Sequence, residues 1–193
     1  MGAMAGTAGE LAGIVESAAG GDEVAFGRIV AACDDEMYRI CMAVGRDPVI
    51  AADAVQSAWF IAWRKLSTLR QPERVRPWLV SVAVNELKKL LKQRRRRSGA
   101  ESSLDGADQA GSIDPATGVA SLDLRLALER LDPDERALLA LRYIAGFNAS
   151  EISLALGLSP SGTRTRLERL LARIRQELCL LYTSDAADDL VSV

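Results

Sequence analysis

The sequence predicts an all-α protein: two small helical domains joined by a flexible acidic linker, the C-terminal one containing a helix-turn-helix. Three observations lead there. Apolar residues recur at three- and four-residue spacing along most of the 193-residue chain, and no strict alternation signals a strand. Residues 98–118 (SGAESSLDGADQAGSIDPATG) lose that period and fill with Gly, Ser and Asp, the composition of a linker. Pro and Gly fall where helices would open and close.

The elements follow in order. Residues 1–21, rich in Gly and Ala, read as a flexible leader without the basic start of an export signal. Phe26, Ile29, Val30, Cys33, Met37, Ile40, Cys41 and Val44 then form one helical stripe, so both cysteines read as small buried apolar residues. Asp47-Pro48 supplies an N-cap and a first helical residue with φ already set. The helix it opens carries Val55, Ala58, Trp59, Ala62 and Leu66 to about Leu69, before Gln71-Pro72 and Pro77 interrupt. A third helix is expected from near Trp78, with Leu79, Val82, Ala83, Leu87, Leu90 and Leu91 inward, ending in Arg94–Arg97. These segments, 22–97, form the first domain.

Beyond the linker 98–118, the second domain spans 119–178. A helix over about Val119–Arg130 comes first, then one opened by Asp132-Pro133 and closed by Gly146. Asn148-Ala149-Ser150-Glu151 resembles a capping box for a short helix ending at Gly157, and Ser159-Pro160 opens the last helix. Its stripe is Leu167, Leu170, Leu171, Ile174 and Leu178. Residues 179–193 (CLLYTSDAADDLVSV) drop both the stripe and the basic charge, and read as a tail of non-native origin.

Composition excludes several chemistries. With no His, imidazole catalysis, imidazole metal sites and a histidine pH switch are absent. Three Cys without a CxxC pair argue against zinc or a disulfide framework and point to a reducing, cytoplasmic setting. No run reaches the roughly 20 apolar residues of a membrane span. No nucleophile–base pair or phosphate-binding Gly loop stands out, so the chain is read as a non-enzyme needing no cofactor.

Charge is segregated. The net −2 hides −6 over residues 1–58, +10 over 59–97, −7 over 98–135, +4 over 136–178 and −3 over 179–193. Two basic blocks flanking an acidic stretch suit a two-site polyanion binder, nucleic acid foremost. The sharpest local signal is residues 149–171, where a short helix, a Gly157-Leu158 turn and a second capped helix form the helix-turn-helix. The exposed start of the second helix is expected to present Ser161, Thr163, Arg164 and Arg166 to a major groove, with Arg169 and Arg173 placed for phosphates.

The stretch EISLALGLSPSGTRTRLERLLARIR resembles the C-terminal promoter-binding region of bacterial sigma factors, in the small two-domain extracytoplasmic-function (ECF) group of the sigma-70 family. There this motif reads the minus-thirty-five element. Ser161-Gly162-Thr163 stands where that family usually has Gly-Thr-Val. Asp53-Ala54-Val55-Gln56-Ser57-Ala58-Trp59-Phe60 resembles the family's segment for a coiled coil of the largest polymerase subunit, which implies contact through Asp53, Gln56 and Trp59. RPWLVSVAVNELKKLLKQRRRR is similar to the helix that melts and reads the minus-ten element, with Val84 where an Arg commonly precedes the Asn. By that resemblance Arg70, Arg74, Arg76, Trp78, Asn85, Lys88, Lys89 and Lys92 would capture single-stranded DNA, where stacking and cations act together. Trp63 reads as core. The implied function is a sigma factor that binds core RNA polymerase and melts promoter DNA, with an anti-sigma protein as an implied further partner. The alternative is a stand-alone helix-turn-helix regulator that does not act through polymerase.

Overall fold

The computed structural model describes residues 8–100 and 119–188, with side chains placed over 11–97 and 124–179. Every regular element among them is helical. The expected leader is largely a helix, α1 (Ala8–Ala19), whose Val15 and Ala18 are buried. It lies along α2 (Glu23–Gly45) and the short turn Pro72–Arg74. Leu11 and Ile14 pack beside Val15 and Ala18, and the neighbour that covers this stripe is one which sequence pattern alone does not reveal. The linker reading of 98–118 lies outside the described residues except at 98–100, where the chain is still helical as the end of α4 (Val75–Ala100).

The expected starts and stops are local hydrogen bonds. Asp47 Oδ1 accepts from the amides of Val49 and Ile50 to cap α3 (Pro48–Lys65). Burying Ile29, Met37, Ile40 and Val44 of α2 against Ala51, Ala54, Ala58 and Ala62 of α3 joins a large-residue ridge to a small-residue groove. Helix α4 crosses both and starts at Val75, three residues before the expected start. Pro77 sits inside its first turn, where a missing N–H costs nothing. A Cβ at Gly45 would stand 3.0 Å from Leu87 Cδ1, so α2 and α4 meet tightly there.

In the second domain, α5 (Val119–Glu129) leads to α6 (Pro133–Leu139), which carries a full capping box between Asp132 and Glu135. A π-helical turn, Ala140–Ile144, continues α6, and Gly146 at φ +69 ends it as expected. Helix α7 (Ala149–Leu156) opens on the reciprocal Asn148–Glu151 box and ends on Gly157, whose φ of +65 a residue with a Cβ resists. Helix α8 (Pro160–Asp188) continues well past Leu178, into the residues expected to form an unpatterned tail.

Burial pushes the Cys33 thiol up to about 11, with Glu36 adding to it, and the Cys41 thiol up to about 12. Both are inert core residues, as the stripe implied.

Candidate nucleic-acid and polymerase interface

The turn between α7 and α8 is built from backbone bonds. The Gly157 and Leu158 amides both donate to Ser153 O, folding the chain back sharply. Ser159 Oγ accepts from the Gly162 amide at 3.1 Å and so caps α8. A Cβ at Gly162 would meet that Oγ at 2.9 Å, which gives the glycine its reason: it leaves room for the cap. Phe147, Ile152, Ala155, Leu170 and Ile174 are buried in the wedge between the helices.

This geometry leaves Ser161, Arg164, Arg166 and Arg169 of α8 exposed. Thr163 departs from the expectation. It is fully buried (0% exposed), and its hydroxyl donates to Ser159 O at 3.0 Å, so it braces the helix start from within. That Thr163 turns inward while Arg164, Thr165 and Arg166 stay exposed is hidden in the sequence, because helical phase there depends on where the wedge sits. Arg173 is exposed yet engaged, 2.7 Å from Glu135 on α6 and 3.9 Å from Glu177. That bond to Glu135 raises the Arg173 pKa and, with the Asp132 amide, holds Glu135 below the usual carboxylate range.

In the first domain, Asn85, Lys89 and Lys92 share one exposed face of α4, in line with half-buried Trp78. Steps of seven (78, 85, 92) keep them in phase on a 3.6-residue helix. Lys89 also pairs with Glu86 at 2.6 Å. Arg70 and Arg74, on the loop before α4, are exposed as well. Val84 is wholly buried, so the departure from the family's Arg serves the core. Arg76 and Lys88 lie apart from this face and are turned toward the second domain. Arg76 donates to both carboxylate oxygens of Glu36, from Nε at 2.7 Å and from Nη2 at 2.5 Å. Lys88 Nζ is 2.6 Å from Asp134.

On α3, Asp53 and Gln56 are exposed and half-buried Trp59 is anchored, its indole N–H donating to Asp34 Oδ1 at 2.7 Å. Phe26 meets Trp59 and Trp63 edge-on, at centroid distances of 5.8 and 4.9 Å. Trp63, expected in the core, is 41% exposed, and Phe60 is 64% exposed under the guanidinium of Arg64. The core is filled instead by the alanines 51, 54, 58 and 62, which leaves the bulky residues outside. Residues 53, 56, 60 and 63 step by three and four, so they form one acidic, polar and aromatic face. The spacing of Phe60 and Trp63 with Asp53 and Gln56 was the available signal for the two missed residues.

A groove of about 630 Å³ lies on the second domain, with Asp134, Glu135, Arg166, Arg169 and Arg173 among its walls and Lys88 of α4 at its edge. Among the described residues no cluster of His, Cys, Asp and Glu suits a metal ion. No helix among them is long and apolar enough to cross a membrane.

Comparison with known proteins agrees with this layout. Sigma-70 region 2 matches residues 29–97, and Sigma-70, region 4 matches residues 121–174. The chain is 34% identical over 169 residues to a probable RNA polymerase sigma factor RfaY of Xanthomonas campestris, aligned over 83% of this chain and 42% of that protein. It is 28% identical to the RNA polymerase sigma factor CnrH of Cupriavidus metallidurans, over 83% of this chain and 90% of that one. It is 26% identical to the ECF RNA polymerase sigma factor SigM of Mycobacterium tuberculosis, over 84% and 82%. The structure of CnrH in complex with the cytosolic domain of CnrY superposes with a TM-score of 0.61 at 25% identity, covering 91% of this chain and 98% of that one. With both regions present in order and each folded on its own helices, this chain belongs to the ECF group of the sigma-70 family of bacterial RNA polymerase sigma factors.

Proposed function

We propose that this chain binds core RNA polymerase and directs promoter-specific initiation, reading duplex DNA with α8 and capturing the melted strand with α4. The observation that carries the proposal is the coexistence of two exposed cationic helical faces with a separate acidic-aromatic face on α3. A stand-alone regulator has use for the first but not for the last. Ser161, Arg164, Arg166 and Arg169 are the duplex-reading set, and Arg173 joins them when it leaves Glu135. Arg70, Arg74, Trp78, Asn85, Lys89 and Lys92 are the single-strand set, with Arg76 and Lys88 available to it once freed from their present partners. Asp53, Gln56, Trp59, Phe60 and Trp63 form the polymerase-docking face, aimed at the coiled coil of the largest subunit.

The role requires no chemistry from the chain: binding energy alone opens the duplex, and stacking contributes about 1–3 kcal/mol per captured base. Accordingly we assign neither enzymatic activity nor a cofactor, and place the protein with polymerase in the cytoplasm. Two solved relatives are in complex with anti-sigma proteins or domains, CnrH with CnrY and RpoE of Bartonella quintana with NepR, and an anti-sigma partner is proposed here by that analogy.

Transcription in vitro by core polymerase plus purified chain, on a genomic promoter library, tests the reading. Discrete new transcripts sharing a two-block upstream motif are expected. Absence of transcripts together with absence of co-elution with core enzyme would leave the stand-alone regulator as the reading.

A further inference from the structure

Strand capture places Arg70 and Arg74 on a loop, and a loop holds a cation in place only if something holds the loop. The hydrogen bonds that shape this one are local. The Leu69 amide donates to Leu66 O at 3.0 Å, the Thr68 hydroxyl to Lys65 O at 2.7 Å and the Arg74 amide to Gln71 O at 2.9 Å. Neither of its short turns, Leu66–Thr68 and Pro72–Arg74, has a side chain capping its start. Among the described residues no hydrogen bond or ion pair ties residues 69–73 to an element remote in sequence. Local bonds fix the shape of such a turn and leave its position to packing.

That packing comes from α1, which lies against both turns as well as against α2. Leu11, Ile14, Val15 and Ala18 fall on one helical stripe; Val15 and Ala18 are buried, and Leu11 and Ile14 pack against the core. On the loop's side, Leu66 and Val75 bracket it and are buried, and Leu69 packs on the same core. Helix α1 is itself anchored at its end. The amides of Gly20, Gly21 and Asp22 donate back to Glu16 O, Ala18 O and Ser17 O at 3.1, 3.0 and 3.2 Å, and the Asp22 carboxylate then caps α2.

We propose that α1 is a positioning element for strand capture: residues 66–74 rest on it, and it thereby fixes where Arg70 and Arg74 meet the melted strand. Neither α1 nor its apolar stripe touches the DNA. Cations set in place before binding lose less freedom on binding, so their contacts yield more affinity. Cutting into the stripe loosens the loop first and weakens strand binding only through it. The role of Arg70 and Arg74 rests on the proposed function; the support of the loop does not.

In the full chain, Val15→Ala deletes two buried methyl groups from the stripe, and Val55→Ala makes the same deletion at a buried site in α3. Amide hydrogen exchange is followed over residues 66–74. Affinity is read at low salt by the anisotropy of a fluorescein-labelled single-stranded DNA of mixed sequence and of the duplex of that sequence. Val15→Ala is expected to speed exchange in the loop and to weaken single-strand binding about two- to tenfold, the size of coupling between packed neighbours, with duplex binding unchanged. Val55→Ala is expected to do neither. In the background Arg70→Ala with Arg74→Ala, Val15→Ala is expected to cost no further affinity. Loop exchange that Val15→Ala leaves unchanged, or that Val55→Ala raises as much, overturns the support. Faster exchange with unchanged strand binding, or an equal loss with and without the two arginines, overturns the positioning role. Failure of the capture reading shows separately, as a strand affinity that Arg70→Ala with Arg74→Ala does not change. It would remove the positioning role with it, while loop exchange would still decide whether α1 holds the loop.

Discussion

The two helical domains are held together differently. The first buries long side chains, Ile29, Met37, Ile40, Leu66, Leu79 and Leu87, together with the alanines of α3, while Val24, Val49, Phe60 and Trp63 stay outside. The second has three short helices, α5 to α7, ahead of the long α8, fewer large buried side chains and two complete capping boxes, with Leu124, Leu126, Tyr143, Ile144 and Leu154 likewise outside. The first is therefore stabilised mainly by packing, while the second depends more on helix-end hydrogen bonds and on resting against α2 and α4. Helix-end bonds of this kind lie within the second domain itself, so they do not depend on what that domain rests against.

Mutations can sharpen this contrast. The largest effect is expected from Phe147→Ala, at about 3–5 kcal/mol, since Phe147 is the largest fully buried side chain and touches both domains; Met37→Ala should cost about 2–5 kcal/mol. Urea unfolding followed by domain-specific probes would read both, and equal loss in the two domains for Met37→Ala would break the contrast. Removing a cap comes next. Asn148→Ala should destabilise the second domain by about 0.5–2 kcal/mol and leave probes of α2 unchanged.

At the interfaces the effects are smaller and directional. Asp34→Ala leaves the Trp59 N–H without its partner, so affinity for core polymerase should fall more than thermal stability does; equal change in both would make Asp34 merely structural. On α8, Arg164→Ala should weaken duplex binding and lower the salt slope by about one, whereas Thr163→Val should leave promoter selectivity intact.

The smallest effect concerns pH. The Arg173 bond, with the Asp132 amide, holds the Glu135 carboxyl below its usual range. The Ile50 amide, then Arg94 and the Val49 amide, do the same for Asp47. The folded state favours the ionised form of each, so their stabilisation is complete above the unfolded carboxylate value of about 4 and is lost as pH falls through the lower folded values. Arg173→Gln should shift acid unfolding of the second domain to higher pH and leave the first domain unmoved.

How much of this was legible depends on distance along the chain. Asp47-Pro48, Asp132-Pro133, Asn148–Glu151, Gly157 and Ser159-Pro160 each exert their effect within four residues, so sequence alone located the helix ends and the helix-turn-helix. The α2 stripe and its buried cysteines followed from periodicity for the same reason. Other features depended on neighbours remote in sequence. The docking of α1, the outward Trp63 and the inward Thr163 are set by which surface each helix meets. Asp34 reaches Trp59 across 25 residues, and Arg76 reaches Ala145 across 69. A guanidinium has the same chemistry facing a phosphate or a backbone carbonyl, so the sequence determined that Arg76 and Lys88 would bind an electronegative partner. Only the tertiary structure decided that the partner here is the protein's own second domain.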